Sequence, residues 1–388
     1  MRLIALTLAL AASVPACAAP PSFPKPLAEE PLLQVAQLPD IWPKSYVVVH
    51  DVNFNAILDG RLGVVDTASA NLPLKGLIRD SQMGGALISR QRGEILTAET
   101  FYSRLTRGER TDAVTIWDMK TLQPKGEIVL PGGKRQQSVI YPHLFQFTNH
   151  QKWALLANFT PAQSVSVIDI DGRKVINEID LPGCAQIYPT GERGFSSLCA
   201  DGSIFSVTLD ENGKAVSSNT INKVQEIDHQ ALFSTPAYVG GTAWFVSQRG
   251  LLQGFDLSGP TAKVVPGAFL LGSAPGADPE WRPSGYQPIN ADAQGHLYVV
   301  MNPHGKEGSH KDGGTQVWVI DPATKTRLRT IDLKGPTLGI TITEEAEPHL
   351  IAAQGDGVVN VYDAQSGAFV RSLGATVGFN PFIIYAVK

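Results

Sequence analysis

Short runs of apolar, β-branched and aromatic residues recur along this chain, each closed by an aspartate and a turn. The closures are Val64-Val65-Asp66, Ile116-Trp117-Asp118, Val167-Ile168-Asp169, Thr208-Leu209-Asp210, Gly254-Phe255-Asp256, Val319-Ile320-Asp321 and Val361-Tyr362-Asp363. Successive aspartates lie 52, 51, 41, 46, 65 and 42 residues apart, room for one four-stranded sheet and its connections. A period in that range predicts a propeller or another repeat array. Seven units predict an all-β, seven-bladed β-propeller; six or eight blades stay open, because the fourth and fifth units are weakly marked. The repeat sets architecture and leaves function undecided, since propellers host unrelated activities.

The strands themselves follow from composition and turn chemistry. Tyr46 to Val49 reads as a strand, then a loop through Asn53-Phe54-Asn55, then a second strand ending at Asp66. Ala113 to Trp117 pairs in the same grammar with Gly126 to Leu130, Val165 to Asp169 with Val175 to Leu181, Gln316 to Asp321 with Thr330 to Leu333, and Val358 to Asp363 with Phe369 to Leu373. Asp, Gly, Asn and Pro sit between these runs. A carboxylate can accept a backbone N–H within its own turn, which makes the repeated aspartates structural rather than catalytic. Phe382 to Val387 forms one more strand after the seventh unit, placed to share a blade with the first strand, close the ring and cover an edge.

The chain start breaks this pattern. Arg2, the apolar run Leu3 to Ala12 and the small-x-small site Ala16-Cys17-Ala18 predict an export signal over residues 1–18, too short to span a bilayer. Cys17 also admits cleavage before a lipidated cysteine, a pattern in which Pro15 sits awkwardly. Residues 19–44 hold seven prolines and predict an extended arm, either a flexible tail or a segment docked through Leu32, Leu33, Val35 and Leu38. The propeller is expected over 45–388. No later run has eighteen uninterrupted apolar residues, so no membrane span is expected, and the compartment is expected to be periplasmic.

Charge and cysteine usage narrow the partners. Without the signal the chain carries 31 basic and 36 acidic residues, and no Lys/Arg cluster supplies a nucleic-acid footprint. Export would leave Cys184 and Cys199, too few for a four-cysteine zinc site or a cysteine-held iron–sulfur cluster. In an oxidising compartment a lone pair most simply forms one disulfide; two buried thiols are the alternative.

No catalytic motif stands out. There is no Gly-x-Ser-x-Gly elbow, no His-Glu-x-x-His and no phosphate-cradling loop. His304 to Asp312 gathers two histidines and two acids, but flexible Gly-rich spacing and two lysines describe a solvated loop better than a metal site. Arg104 to Asp112 reads as an ion-paired face or, with Phe101 and Tyr102 beside Arg104, Arg107 and Arg110, as a protein-contact patch.

The run Glu99-Thr100-Phe101-Tyr102-Ser103-Arg104-Leu105-Thr106-Arg107-Gly108-Glu109-Arg110-Thr111-Asp112, followed by Val114 to Asp118, resembles the heavy subunit of periplasmic quinoprotein amine dehydrogenases. Cys184 with Cys199-Ala200-Asp201-Gly202 resembles that subunit's disulfide blade, and Trp281-Arg282-Pro283-Ser284-Gly285-Tyr286 resembles its Trp-Arg-Pro-Gly-Gly stretch, Ser284 being a departure. The resemblance covers Tyr46 to the C-terminus and implies a seven-bladed propeller with no cofactor and no catalytic residue of its own. In that family a small, cysteine-dense light subunit carries tryptophan tryptophylquinone, a primary amine becomes aldehyde plus ammonia, and electrons pass to a blue copper protein or a cytochrome. Two heavy subunits assemble with two light ones. The six tryptophans here are spread through the blades and read as packing residues. Phe54 matches a phenylalanine at the mouth of the quinone pocket, where it would select substrate by fit; otherwise it is an ordinary inter-strand aromatic. Met301 to Lys311 with Val317-Trp318-Val319 looks more like aromatic amine dehydrogenases than methylamine dehydrogenases. The competing readings are an exported propeller hydrolase of lactonase type and a binding propeller without chemistry.

Overall fold

The computed structural model describes residues 25, 27, 28 and 36–387, apart from 57, 82, 137–139 and 274–279. The expected signal at 1–18 with Cys17, and most of the arm with Leu32, Leu33 and Val35, lie outside the described residues. Gln37–Lys388 form one unit. Leu38, near the end of the arm, docks on its own chain, its N–H donating to the Lys120 carbonyl at 2.9 Å. Trp42 follows it into the core and donates to the Met119 carbonyl at 3.1 Å.

Beyond residue 45 the described chain is strand and turn, with only four short 3-10 segments, and its sheets make a β-propeller arrangement. Among the described residues no helix is long and apolar enough to cross a membrane. The first sheet places the C-terminal strand Ile383–Ala386 innermost, followed outward by Tyr46–Asp51, Gly60–Asp66 and Leu74–Asp80. The expected closing strand is therefore present, paired antiparallel with Tyr46–Asp51. Gly85–Ser89, Glu94–Arg104, Arg107–Asp118 and Pro124–Leu130 make the next sheet, and Phe145–Thr148 to Lys174–Asp180 the third. Cys184–Thr190 to Ala215–Ile221 make the fourth, and Ala237–Val239 to Phe269–Leu270 the fifth.

Seven separate sheets were expected, and here the pairing differs: the described residues form six, the last with eight strands. The cause is Thr326–Ile342, which stays extended for 17 residues. Its first part pairs with Gly314–Asp321 and its last part with His349–Gln354. Gly335-Pro336 would ordinarily signal a break, but the fixed φ of proline is compatible with an extended chain, and the pairing with Gly314–Asp321 absorbs it in a register shift between Gly314 and Gln316.

The core lies between sheets rather than within one. Ile95 and Leu62 join the first two sheets, Leu96 and Leu156 the second and third, Phe195 and Leu155 the third and fourth, and Tyr188 and Phe245 the fourth and fifth. The two halves of the eight-stranded sheet also pack face to face, with Val300, Val319 and Ile331 against Ile340, Leu350 and Tyr362.

All seven repeated aspartates accept a backbone N–H within their own turn. The donors are Ala68, Lys120, Gly172, Asn212, Ser258, Ala323 and Gln365 in chain order. Local hydrogen bonds accordingly hold the carboxyls of Asp256, Asp321 and Asp363 below their ordinary range, led by a serine or threonine hydroxyl in the same turn.

Candidate functional site

In an up-and-down sheet, the segments entering the innermost strands and the hairpins joining second to third strands fall at one end. That leading face collects the loop after Asp51, the hairpin after Arg104 and the loop 303–313.

Asp51 organises it. Buried at the end of its strand, it accepts N–H bonds from Asn53 at 2.9 Å, Phe379 at 2.9 Å and Asn380 at 2.8 Å. Gly378 passes so close that a Cβ there would stand 1.6 Å from the carboxylate, so only glycine fits. Asn53 takes the left-handed conformation at φ 45° and turns the chain outward. Phe54 then donates its N–H to the Asn380 side-chain carbonyl at 2.9 Å.

Phe54 is 41% exposed. Its ring lies 5.9 Å from Phe382, Phe382 lies 6.0 Å from Tyr286, and Tyr286 stacks on Tyr141 at 5.1 Å. Phe54 is thus the outer end of a row of four rings. The inner three line a cavity of about 540 Å³ with Phe233, Leu232, His310 and Lys311. Phe54 stands beside this cavity rather than in its wall. The Tyr286 hydroxyl donates to the Ile140 carbonyl. The sequence pointed to Tyr286 in the resembling stretch and to Phe382 in the closing strand, but assigned neither of them, nor Tyr141, a role at the site. Each lies one to four residues before an innermost strand, and that spacing was the available signal.

The arginine-rich run forms a hairpin that outreaches its sheet. Pairing to the neighbouring strands stops at Ala98 on one side and Asp112 on the other. Phe101, Arg104, Leu105 and Arg107 are exposed there and Tyr102 is half-buried. Arg110 behaves differently: it clamps Asp112 with two bonds of 2.9 and 2.8 Å and also donates to the Arg135 carbonyl. It braces the hairpin base, whereas Phe101, Arg104 and Arg107 stand exposed beyond it.

That base is polar and buried. Thr100 donates to Asp112 at 2.6 Å and accepts from Arg135 at 2.9 and 2.7 Å. Burial pulls the Arg135 guanidinium down to about 10, with Asp112 opposing. Burial pushes the Glu99 carboxyl up to about 7, although the Thr115 hydroxyl donates to it. His50 and Asp80 pair at 3.1 Å with both side chains fully buried.

Cys184 and Cys199 sit opposite each other on paired strands and are joined as a disulfide. The loop after Asn302 closes with a 3-10 turn, Ser309–Lys311. Ser284, the departure from the resembling stretch, is fully buried and donates to the Ser309 carbonyl at 2.6 Å, tying that stretch to the loop. Among the described residues no group of three or more His, Cys, Asp or Glu is placed to hold a metal. Two of the six tryptophans do meet, Trp281 and Trp318 at 5.8 Å. Trp318 is buried beneath Arg327, whose guanidinium sits 4.4 Å from the ring, so the pair serves packing and does not suit an exposed redox group.

The family described as methylamine dehydrogenase heavy chain (MADH) matches residues 45–388. The chain is 28% identical to the methylamine dehydrogenase heavy chain of Methylorubrum extorquens over 290 residues, 74% of this chain and 70% of the relative. It is 28% identical to that of Paracoccus versutus over 364 residues, 92% of this chain and 82% of the relative. Among solved structures, a functionally unknown protein from Desulfotomaculum acetoxidans superposes with a TM-score of 0.55 at 13% identity, covering 87% of this chain and 98% of that one. Dihydro-heme d1 dehydrogenase NirN in complex with DHE gives 0.52 at 13% identity, covering 93% and 78%. At such identities these structures speak to the fold alone.

Proposed function

The chain belongs to the methylamine dehydrogenase heavy chain family, and from that membership we propose that it is the cofactor-free heavy subunit of an exported amine dehydrogenase. The family match over 45–388 carries this reading. The partner is a small light subunit bearing tryptophan tryptophylquinone, in an assembly of two heavy and two light chains. The quinone supplies the two-electron oxidation when the light subunit is bound; a blue copper protein or cytochrome then takes the electrons. The net change is primary amine plus water to aldehyde, ammonia, two protons and the two electrons that pass to the acceptor. This chain's part is to dock the light subunit and shape the approach to it, and the leading face suits that part. It offers the exposed Phe54 ring, the cavity behind it and the projecting hairpin with Phe101, Tyr102, Arg104 and Arg107.

The eight-stranded sheet is read as two blades sharing Thr326–Ile342, which makes seven. Its halves pack face to face as other neighbouring sheets do, and each ends its third strand on a repeated aspartate, Asp321 and Asp363.

For the substrate, the stretch Met301 to Lys311 with Val317 to Val319 favours arylalkylamines such as phenylethylamine or tyramine. The relatives, in contrast, are methylamine dehydrogenase heavy chains. Tagging this chain in its native host and isolating its complex tests the assignment. A small, cysteine-rich partner with quinone absorbance is expected; a chain purified without such a partner and hydrolysing lactones would replace this reading.

A further inference from the structure

We propose that the outer edge of the fourth sheet, the strand Ala215–Ile221, is where a second copy of this chain pairs, antiparallel and about a two-fold axis through Asn219. The strand is outermost in its sheet and is paired on one side only, with Ile204–Leu209. Among the described residues nothing bonds to its other side. Six of its seven residues are exposed, Val216 at 61%. A bare edge of this kind offers a row of N–H and C=O groups to any strand that can reach it.

Its sequence lacks the protection that the other edges carry. Folded proteins keep sheet edges apart with charged side chains, proline or shortness. Among the described strands, the outermost ones of the other five sheets each do so. They present Lys75 and Arg79, Pro124 and Lys125, Lys174, Lys263 in a strand of two residues, and Arg371. Ala215–Ile221 reads Ala-Val-Ser-Ser-Asn-Thr-Ile, with no charge and no proline. Of the six edges, only this one is left open to another strand.

The missing charge also selects the partner. In a two-fold pair each residue meets one from the same strand, so a charge on the axis would face its own copy. The register shift between Thr208 and Leu209 leaves Ser217–Ile221 as the regular run, and Asn219 is its centre. Asn219 then meets Asn219, Ser218 meets Thr220 and Ser217 meets Ile221, pairs that hydrogen-bond or pack without repulsion. The nearest charges in sequence, Lys214 and Lys223, lie outside that run. Five residues a side are far fewer than the about 20–30 of a stable interface, so the edge joins copies already held in one assembly. The inference rests on the proposed function for two heavy chains per assembly; the edge itself is read from this chain alone.

The test places one cysteine on the axis. Residues paired across antiparallel strands stand about 4.5–5.5 Å apart at Cα, within disulfide reach. Asn219→Cys, oxidised as the isolated chain and again in its complex, should give a covalent dimer joined at position 219 of both copies. Oxidation traps even a weak pair, so both preparations are informative. Lys214→Cys, which the axis holds far from its own copy, should give less than a tenth of that yield. Asn219→Lys sets like charges on the axis, so the outward amides of Ser217–Ile221 should exchange at least tenfold faster in that complex than in wild type. No dimer joined at position 219 in either preparation, equal yield from Lys214→Cys, a bond from position 219 to a different protein, or unchanged exchange in Asn219→Lys would each overturn the proposal. Amine turnover is read in the same samples. Loss of pairing with turnover kept defeats the edge alone, and pairing without turnover in any sample defeats the amine dehydrogenase reading alone.

Discussion

Asp51 joins the two ends of the propeller, and Asp51→Asn is the sharpest probe of how Phe54 is held. The wild-type carboxylate accepts three backbone N–H bonds, those of Asn53 and Asn380 on one oxygen and that of Phe379 on the other. Asparagine keeps the shape, but it offers one oxygen and one NH₂. If the oxygen stays with Asn53 and Asn380, the Phe379 N–H faces another donor. A buried donor left without a partner costs about 1–3 kcal/mol, and bonds to a charged acceptor are stronger than those to a neutral one. Losing one bond and weakening two comes to roughly 3 kcal/mol. That loss falls on a local closure between residues 51–54 and 378–382, so hydrogen–deuterium exchange reads it directly. Amides in those two segments should exchange about 100-fold faster in the variant, with strands of the third and fourth sheets unchanged. Exchange there within threefold of wild type would refute the clasp. Because Asn380 also holds Phe54, the variant should move substrate preference in the same direction as loss of the Phe54 ring.

Three further outcomes follow from other parts of the molecule. Phe54→Ala, assayed in the complex, should change the ratio of kcat/KM for phenylethylamine over methylamine by about tenfold while leaving quinone absorbance intact, and an unchanged ratio would return Phe54 to a packing role. Burial raises the Glu99 carboxyl from 4.5 to about 7, so the folded state keeps a proton that the unfolded chain has released, and stability falls as pH rises between those values. Glu99→Gln should remove that slope and gain on the order of 3 kcal/mol at pH 8 but little at pH 4, and parallel stability profiles for the two proteins would contradict it. Replacing both Cys184 and Cys199 with alanine opens a loop of sequence separation 15 and should lower the unfolding free energy by about 3 kcal/mol; a loss below about 1 kcal/mol would show that the bond constrains little.

What the sequence made legible was local. The seven aspartates, the strands before them and the closing strand at Ile383–Ala386 rest on period-two patterning and on turns spanning two or three residues. The weakly marked fourth and fifth units have a physical cause. Ala215–Ile221 is almost wholly exposed, and the outer strand Lys263–Val264 has two residues, so neither needs an apolar pattern. The fused sheet escaped notice because Gly335-Pro336 looks like a turn, and only pairing on both flanks keeps it extended. Arg110 looked like its exposed neighbours until Asp112 and Arg135 claimed it. The ring row and the Asp51 clasp join residues up to 329 positions apart, a relation that no window of sequence contains.

The central claim is that this chain serves amine oxidation without carrying the redox centre. Amine-dependent reduction of an artificial electron acceptor, measured for the isolated chain and again after adding the quinone-bearing small subunit, tests it most directly. The account predicts no turnover by the chain alone and turnover in the reconstituted complex, with aldehyde and ammonia formed in equal amounts. Turnover of amine by the isolated chain, or a complex that stays inactive towards every primary amine, would contradict it.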